Sequence, residues 1–210
     1  MKRLLVMLTC ILLDIFLLHA ADTDIISAKQ MVNRLLPTHA KSFIFKKIAS
    51  DKDIFILENK DKLIQISGNN ANSMAVGLNF YLKNYCLTTI SWFRTDPIQL
   101  PENLPLIKRA IKITAKVPLR FFLNYCTFGY SMPWWTWKDW ERLIDWMALN
   151  GINTPLAITG QEAIWYNVWK KFGLTDPEIR AYFTGPAHLP WHRMSNIDGW
   201  QGPLPISWLE

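Results

Sequence analysis

Hydrophobic and polar positions follow different rhythms in the two halves of this chain. Phe43–Ile48, Ile54–Glu58 and Lys62–Ser67 are short apolar runs separated by turn chemistry, Asn59-Lys60-Asp61-Lys62 and Gly68-Asn69-Asn70, and read as three strands. Ile26–Leu36, stopped by Pro37, reads as a short amphipathic helix. Asn72–Tyr85 reads as a second, with Met74, Leu78, Leu82 and Tyr85 on one face. Thr88–Phe93 is read as a further strand, which gives a small α/β domain of order αβββαβ. A connector punctuated by Pro97, Pro101, Pro105 and Pro118 follows, with a candidate strand at Ala110–Lys116. Proline-rich segments commonly separate domains, so the boundary is placed near Lys116.

The second half is organised around a strand, a helix and a strand. Leu119–Cys126 is short, apolar and aromatic, as a buried strand should be. Thr136 followed by Asp139 resembles a capping box with Asp in the usual Glu or Gln position. Trp137, Trp140, Ile144 and Met147 then recur at helical spacing and predict one buried stripe. Asn150-Gly151 ends that helix, since glycine accepts the left-handed conformation of a C′ position. Ile152–Ile158 suits a strand covered on both faces. This order favours a parallel pair with a right-handed crossover. In a βα barrel the reactive end lies where strands stop and βα loops begin. Asn124-Tyr125-Cys126 and Thr159-Gly160-Gln161-Glu162 occupy two such ends and are expected to face one pocket.

Beyond them, Ala163–Phe172 reads as a helix ended by Gly173. Thr175-Asp176-Pro177-Glu178 is a capping box with Pro in the first turn, opening a helix that runs to about Phe183. After Thr184-Gly185-Pro186, residues 187–208 form a long loop bearing Trp191, His192, Arg193, Trp200 and Trp208; such loops often line binding sites. A βα barrel needs about 250 residues and eight strands. Only two barrel strands are read between Val117 and Glu210. The expected fold class is therefore α/β: a small N-terminal α/β domain over residues 22–116, then the first βα units of an incomplete TIM-type barrel over 117–210. The chain is expected to be a fragment or the product of a truncated gene.

Composition sharpens this division. Of 11 tryptophans, ten lie between Trp134 and Trp208. Residues 22–116 carry 14 basic and 8 acidic side chains, against 7 and 8 in residues 117–210. The positive charge sits away from the expected pocket; it suits either attraction of acidic polymers or a solvated surface. The usual nucleic-acid-binding motifs are not found. Met1-Lys2-Arg3, the apolar run Leu4–Leu18 and Ala20-Ala21 have the form of a secretory signal peptide over residues 1–21; the run is short for a membrane span and contains Asp14. Export, to the periplasm or beyond it, is expected, with no membrane association once the signal is removed. It would permit a disulfide between Cys86 and Cys126, although two cysteines are weak grounds for one. No CxxC or HExxH pattern points to a metal, and no cofactor is expected.

The words Asn124-Tyr125-Cys126-Thr127, Trp134-Trp135 with Trp137, Ile144 through Asn153 (IDWMALNGIN), Gly160 through Trp165 (GQEAIW), Phe183-Thr184-Gly185-Pro186-Ala187 and Gly202-Pro203-Leu204-Pro205 together resemble the alpha-N-acetylglucosaminidases of glycoside hydrolase family 89. Upstream, Gly77 through Leu82 (GLNFYL) and Ser91-Trp92 resemble the N-terminal domain of that family. The resemblance implies a retaining exo-glycosidase that removes terminal α-linked N-acetylglucosamine, acting in lysosomes on heparan sulfate in animals and exported in bacteria. It also implies that the two catalytic glutamates lie on later barrel strands, beyond Glu210, so that this chain has no catalytic residue and is inactive alone. Retaining chemistry needs two carboxyl groups about 5–5.5 Å apart; only Glu162 is predicted at a strand end, whereas Glu141 and Asp145 lie on a helix and Asp176 and Glu178 in a cap.

By the same resemblance Asn124, Cys126, Tyr130 and Trp191 match positions of the sugar pocket. An asparagine amide both donates to and accepts from hydroxyls, although Asn124 also suits a turn. Cys126 reads as a pocket-wall thiol rather than a nucleophile, having no paired histidine. Tyr130 suits the pocket or loop packing, and Trp191 an apolar wall. Gln161 and Glu162 bind hydroxyls or cap the helix that follows. His188 and His192 rim the pocket or serve structure, and Trp137, Trp140 and Trp146 are read as barrel packing. The expected partner is a glycan ending in N-acetylglucosamine. A non-catalytic carbohydrate-binding protein, or another hexosaminidase- or glucuronidase-like barrel, remains an alternative, since fold does not fix function.

Overall fold

The computed structural model describes residues 23–210, apart from the side chains of Thr127 and Phe128. The signal-peptide reading lies outside the described residues. The chain divides into two compact units: residues up to Arg120 with Glu141–Asn153, and Phe121–Trp140 with Thr154–Glu210.

The first unit is a four-stranded sheet with helices. It contains α1 (residues 23–35), β1 (Phe43–Lys47), β2 (Ile54–Lys60), β3 (Leu63–Gly68), α2 (Ala71–Asn84) and β4 (Ile111–Thr114). Strand order is β1-β3-β2-β4; β1 and β3 are parallel and the other pairs antiparallel. The β2–β3 hairpin closes through Asp61-Lys62, where Asp61 takes a left-handed φ of 57°, one of the few a short polar side chain tolerates. Leu57, Ile64 and Ile66 from the sheet and Met74, Leu78 and Leu82 from α2 are completely buried, joined by Met31 and Val32 of α1. Gly77 permits this packing: a β-carbon there would lie 2.7 Å from Ile66 Cγ2. Asn70 caps α2 by accepting from Ser73 N at 2.7 Å.

The expected strand at Thr88–Phe93 does not form. Leu87 turns the chain at φ 53°, and the place beside β2 is taken by β4. The proline-rich segment before β4 is pinned to this unit. Asn59 donates to Ile107 O at 2.7 Å and accepts from Ile107 N at 2.9 Å, and Tyr81 Oη donates to Pro105 O at 2.8 Å.

Helix α3 (Trp137–Leu149) opens with the expected Thr136–Asp139 exchange: Asp139 Oδ2 accepts from Thr136 N at 2.9 Å and from Thr136 Oγ1 at 2.7 Å. Its buried residues are Leu143, Asp145, Met147 and Leu149. The predicted stripe is thus corrected: Met147 is buried, but Trp137 is 68% and Ile144 44% exposed. The helix is turned by polar fastening. Arg34 of α1 holds Asp145 through a two-bond fork of 3.0 and 2.6 Å, while Asn79 and Asn72 donate to Leu149 O and Ile152 O. Those amides satisfy carbonyls that a helix end and the following turn leave open. Gly151, at φ 76°, ends the helix as read.

In the second unit β5 (Phe121–Phe122) and β6 (Thr154–Pro155) pair in parallel, Phe121 against Thr154 and Phe122 against Pro155. The expected strands are longer than these because the ladder holds only two residue pairs; Leu156 N→Phe122 O at 2.9 Å extends it by one bond. Three helices follow, α4 (Gln161–Lys171), α5 (Asp176–Tyr182) and α6 (Leu189–Arg193). The α5 box is formed, with Glu178 accepting from Thr175 N at 2.8 Å and Thr175 Oγ1 at 2.6 Å; these bonds hold the Glu178 carboxyl below its usual range. The stretch expected as loop over 187–208 instead carries α6 and a short 3-10 turn, Ile206–Trp208. Ile179, Phe183 and Leu204 are fully buried and packed with Tyr166, Leu189, Leu209, Trp165 and Trp169. Gly185 and Gly202 allow two backbones to meet there, since β-carbons would lie 2.6 Å from Gln201 O and Phe183 O.

Candidate active site at the strand ends

Within the second unit a hollow of about 130 Å³ opens where the two short strands stop. Leu123, Asn124 and Tyr125, just past β5, form one side; Ile158, Thr159 and Gly160, between β6 and α4, form another. Met132, Pro133, Leu189, Pro190 and Trp208 supply apolar wall. Apolar walls with few convergent polar groups are usual for a small-ligand pocket.

Its polar floor is an ion pair. Arg193, at the end of α6, donates from Nε to Glu162 Oε1 at 2.6 Å and from Nη2 to Oε2 at 2.8 Å. The side chains are 7% and 3% exposed. Both carboxylate oxygens are engaged in a bidentate fork, the strong form of this contact. Glu162 stands in the first turn of α4, where the helix dipole also favours negative charge.

The sequence-predicted residues divide around this hollow. Asn124 and Glu162 line it. Asn124 also makes a turn, its Oδ1 accepting from Cys126 N at 3.0 Å, so its two readings coexist. Gln161 is half-buried beside Glu162 and is not among the lining residues. Cys126 is not among the lining residues; its sulfur lies 3.8 Å from Met194 Sδ, and both Cys86 and Cys126 are free thiols. Tyr130 is 66% exposed and meets Trp191 edge-on at 5.1 Å between ring centres, outside the hollow's lining. His192 is 4% exposed among Trp165, Tyr182 and Phe183, and His188 stands near Trp191 and Trp200; neither lines the hollow. Burial lowers the His192 pKa, although Glu162 pulls the other way. Arg193 is the residue that sequence reasoning left unassigned; nothing in linear spacing ties it to Glu162, 31 positions earlier.

Chemically, this arrangement can hold a hydroxylated neutral molecule between the Asn124 amide and apolar wall, beside an ion pair that is already satisfied. Among the described residues lining the hollow, Glu162 bears the single carboxylate, and both its oxygens are taken by Arg193. No group of three or more His, Cys, Asp or Glu among the described residues is placed to hold a metal ion.

The alpha-N-acetylglucosaminidase N-terminal domain matches residues 27–106, and the alpha-N-acetylglucosaminidase TIM-barrel domain matches residues 120–210. The chain belongs to the alpha-N-acetylglucosaminidase family. Human alpha-N-acetylglucosaminidase is 45% identical over 145 residues, which is 69% of this chain and 19% of the human protein. A family 89 glycoside hydrolase from Clostridium perfringens, solved with 2-acetamido-1,2-dideoxynojirmycin, superposes with a TM-score of 0.83 at 34% identity, over 91% of this chain and 22% of that one. The same organism's enzyme, solved with GlcNAc-alpha-1,4-galactose as its substrate, superposes at 0.86 with the same identity and coverage. The chain thus spans about a fifth of the length of these relatives. Within the family, β5, β6 and the helices after them are the opening of the TIM barrel, and the four-stranded unit is the N-terminal domain.

Proposed function

We propose that this chain contributes the opening wall of a pocket for terminal α-linked N-acetylglucosamine in an exported alpha-N-acetylglucosaminidase. The observation that carries the reading is the hollow at the ends of β5 and β6, with Asn124 and Glu162 on its surface. Its small volume and its mixture of one amide, one anchored ion pair and apolar wall suit a single sugar residue. Asn124 contacts hydroxyl or acetamido groups; Tyr130 and Trp191 form an aromatic rim, and Cys126 and Gln161 shape the loops behind it. A similar Clostridium perfringens enzyme has been solved with GlcNAc-alpha-1,4-galactose, which supports the choice of sugar. Export rests on the basic start and apolar run of residues 1–21.

Retaining hydrolysis requires two carboxyl groups about 5–5.5 Å apart, and the described lining offers one. Binding without turnover by this chain is part of the proposal. The test is titration of the purified protein with N-acetylglucosamine by tryptophan fluorescence, beside an assay on its α-nitrophenyl glycoside. Saturable binding, lost in Asn124→Ala, with no nitrophenol released, is expected. Nitrophenol release would refute the inactive state; undiminished binding by Asn124→Ala would refute the pocket.

A further inference from the structure

Three contacts join α6 and the residue after it to the aromatic loop that follows β5. Pro190 abuts Gly129 so closely that a β-carbon on Gly129 would lie 2.1 Å from Pro190 Cγ. Trp191 meets Tyr130 edge-on at 5.1 Å. Met194 Sδ lies 3.8 Å from Cys126 Sγ. Among the described residues these bring positions 190, 191 and 194 against positions 129, 130 and 126. Five-residue α6 is too short to hold its own position by backbone bonds alone. Its last residue is Arg193, and the fork from Arg193 to Glu162 fastens it to the first turn of α4.

We propose that Arg193 is a positioning residue. Through Glu162 it sets where α6 stands, and through Pro190, Trp191 and Met194 it sets the shape of the 124–130 loop and the width of the hollow. Glu162 then serves as the anchor of this strut rather than as a hydrogen-bond partner of the sugar. Lysine in place of Arg193 keeps the charge but not the fork, because an ammonium is a point donor and a guanidinium a planar pair. The inference deepens the saccharide-pocket reading for its effect on affinity, but its effect on the loop is measured without any sugar.

The test uses Cys126 as reporter in the whole chain. Alkylation by iodoacetamide is followed peptide by peptide by mass spectrometry, with Cys86 as the thiol of the other unit. Native tryptophan emission is checked in each sample. Arg193→Lys and the paired Glu162→Gln/Arg193→Gln variant are each expected to raise the Cys126 rate about tenfold, equivalent to about 1.4 kcal/mol of lost loop closure. Cys86 and the emission spectrum stay as in the parent. N-acetylglucosamine affinity falls by a similar factor. Unchanged Cys126 reactivity in both fork-breaking variants overturns the proposal. A rise that appears only together with loss of native emission also overturns it, since that is general unfolding. A selective rise in Cys126 reactivity in protein that binds no N-acetylglucosamine supports the strut and refutes the saccharide reading.

Discussion

Replacing Glu162 by alanine leaves the Arg193 guanidinium, 7% exposed, without a counter-charge. Breaking a buried pair from one side costs roughly 3–5 kcal/mol, because the surviving charge stays desolvated. The Coulomb term gives the same scale: at an effective dielectric near 20, unit charges about 4 Å apart attract by about 4 kcal/mol. The second unit has about 77 residues, and at roughly 0.05–0.15 kcal/mol per residue its stability is about 4–12 kcal/mol. Glu162→Ala therefore removes about a quarter or more of that reserve. Converting both partners to glutamine removes both charges and their desolvation together, and is expected to cost less than about 2 kcal/mol. Nine of the eleven tryptophans belong to this unit, so emission during urea unfolding reports on it. With a slope of about 1–2 kcal/mol per molar urea, the alanine midpoint should fall by about 1.5 M or more and the double-glutamine midpoint by clearly less. Equal shifts in the two variants would refute the claim that an uncompensated buried charge is at stake.

Three other outcomes follow from the packing and the titrating groups. Gly77→Ala gains about 1 kcal/mol of helix propensity but drives a methyl to 2.7 Å from Ile66 Cγ2, and overpacking costs about 1–3 kcal/mol; circular dichroism should show a lower melting temperature, whereas a higher one would mean that α2 moves freely off the sheet. Asp139→Ala removes the acceptor of both Thr136 bonds and should cost roughly 0.5–2 kcal/mol by the same melting assay. His192 has its folded pKa depressed by burial below the ordinary 6.5, with Glu162 and Asp198 opposing and Arg193 assisting. As pH falls through 6.5 the unfolded chain takes up a proton before the folded one does, so stability is lost from that point down to the folded pKa. Urea midpoints at pH 7.5 and 5.5 should separate for the parent chain and draw together in His192→Phe; an unchanged separation would exclude His192 as the cause.

Much of the local structure was legible because its causes are local. The Thr136–Asp139 and Thr175–Glu178 exchanges span three residues and formed as read. Gly151 and Gly173 carry positive φ at the helix ends they were expected to mark. The strands of the first sheet were legible from alternation and turns. What failed was long-range. Thr88–Phe93 has strand composition but no strand beside it, because β4, twenty residues later, occupies that edge of β2. The stripe on α3 was misjudged because Arg34 and two asparagines, 70 to 111 positions away, decide which side is buried.

The sequence by itself determined the caps, turns, apolar runs and the family words, since each depends on side chains within a few positions of one another. Only the tertiary structure decided that Glu162 is committed to Arg193 and that Tyr130 and Trp191 pair with each other beyond the lining of the hollow. The reason is physical. A carboxylate at a strand end has the same chemistry on paper whether it is free to meet a ligand or locked in a fork, and only folding brings the competing donor within hydrogen-bond reach.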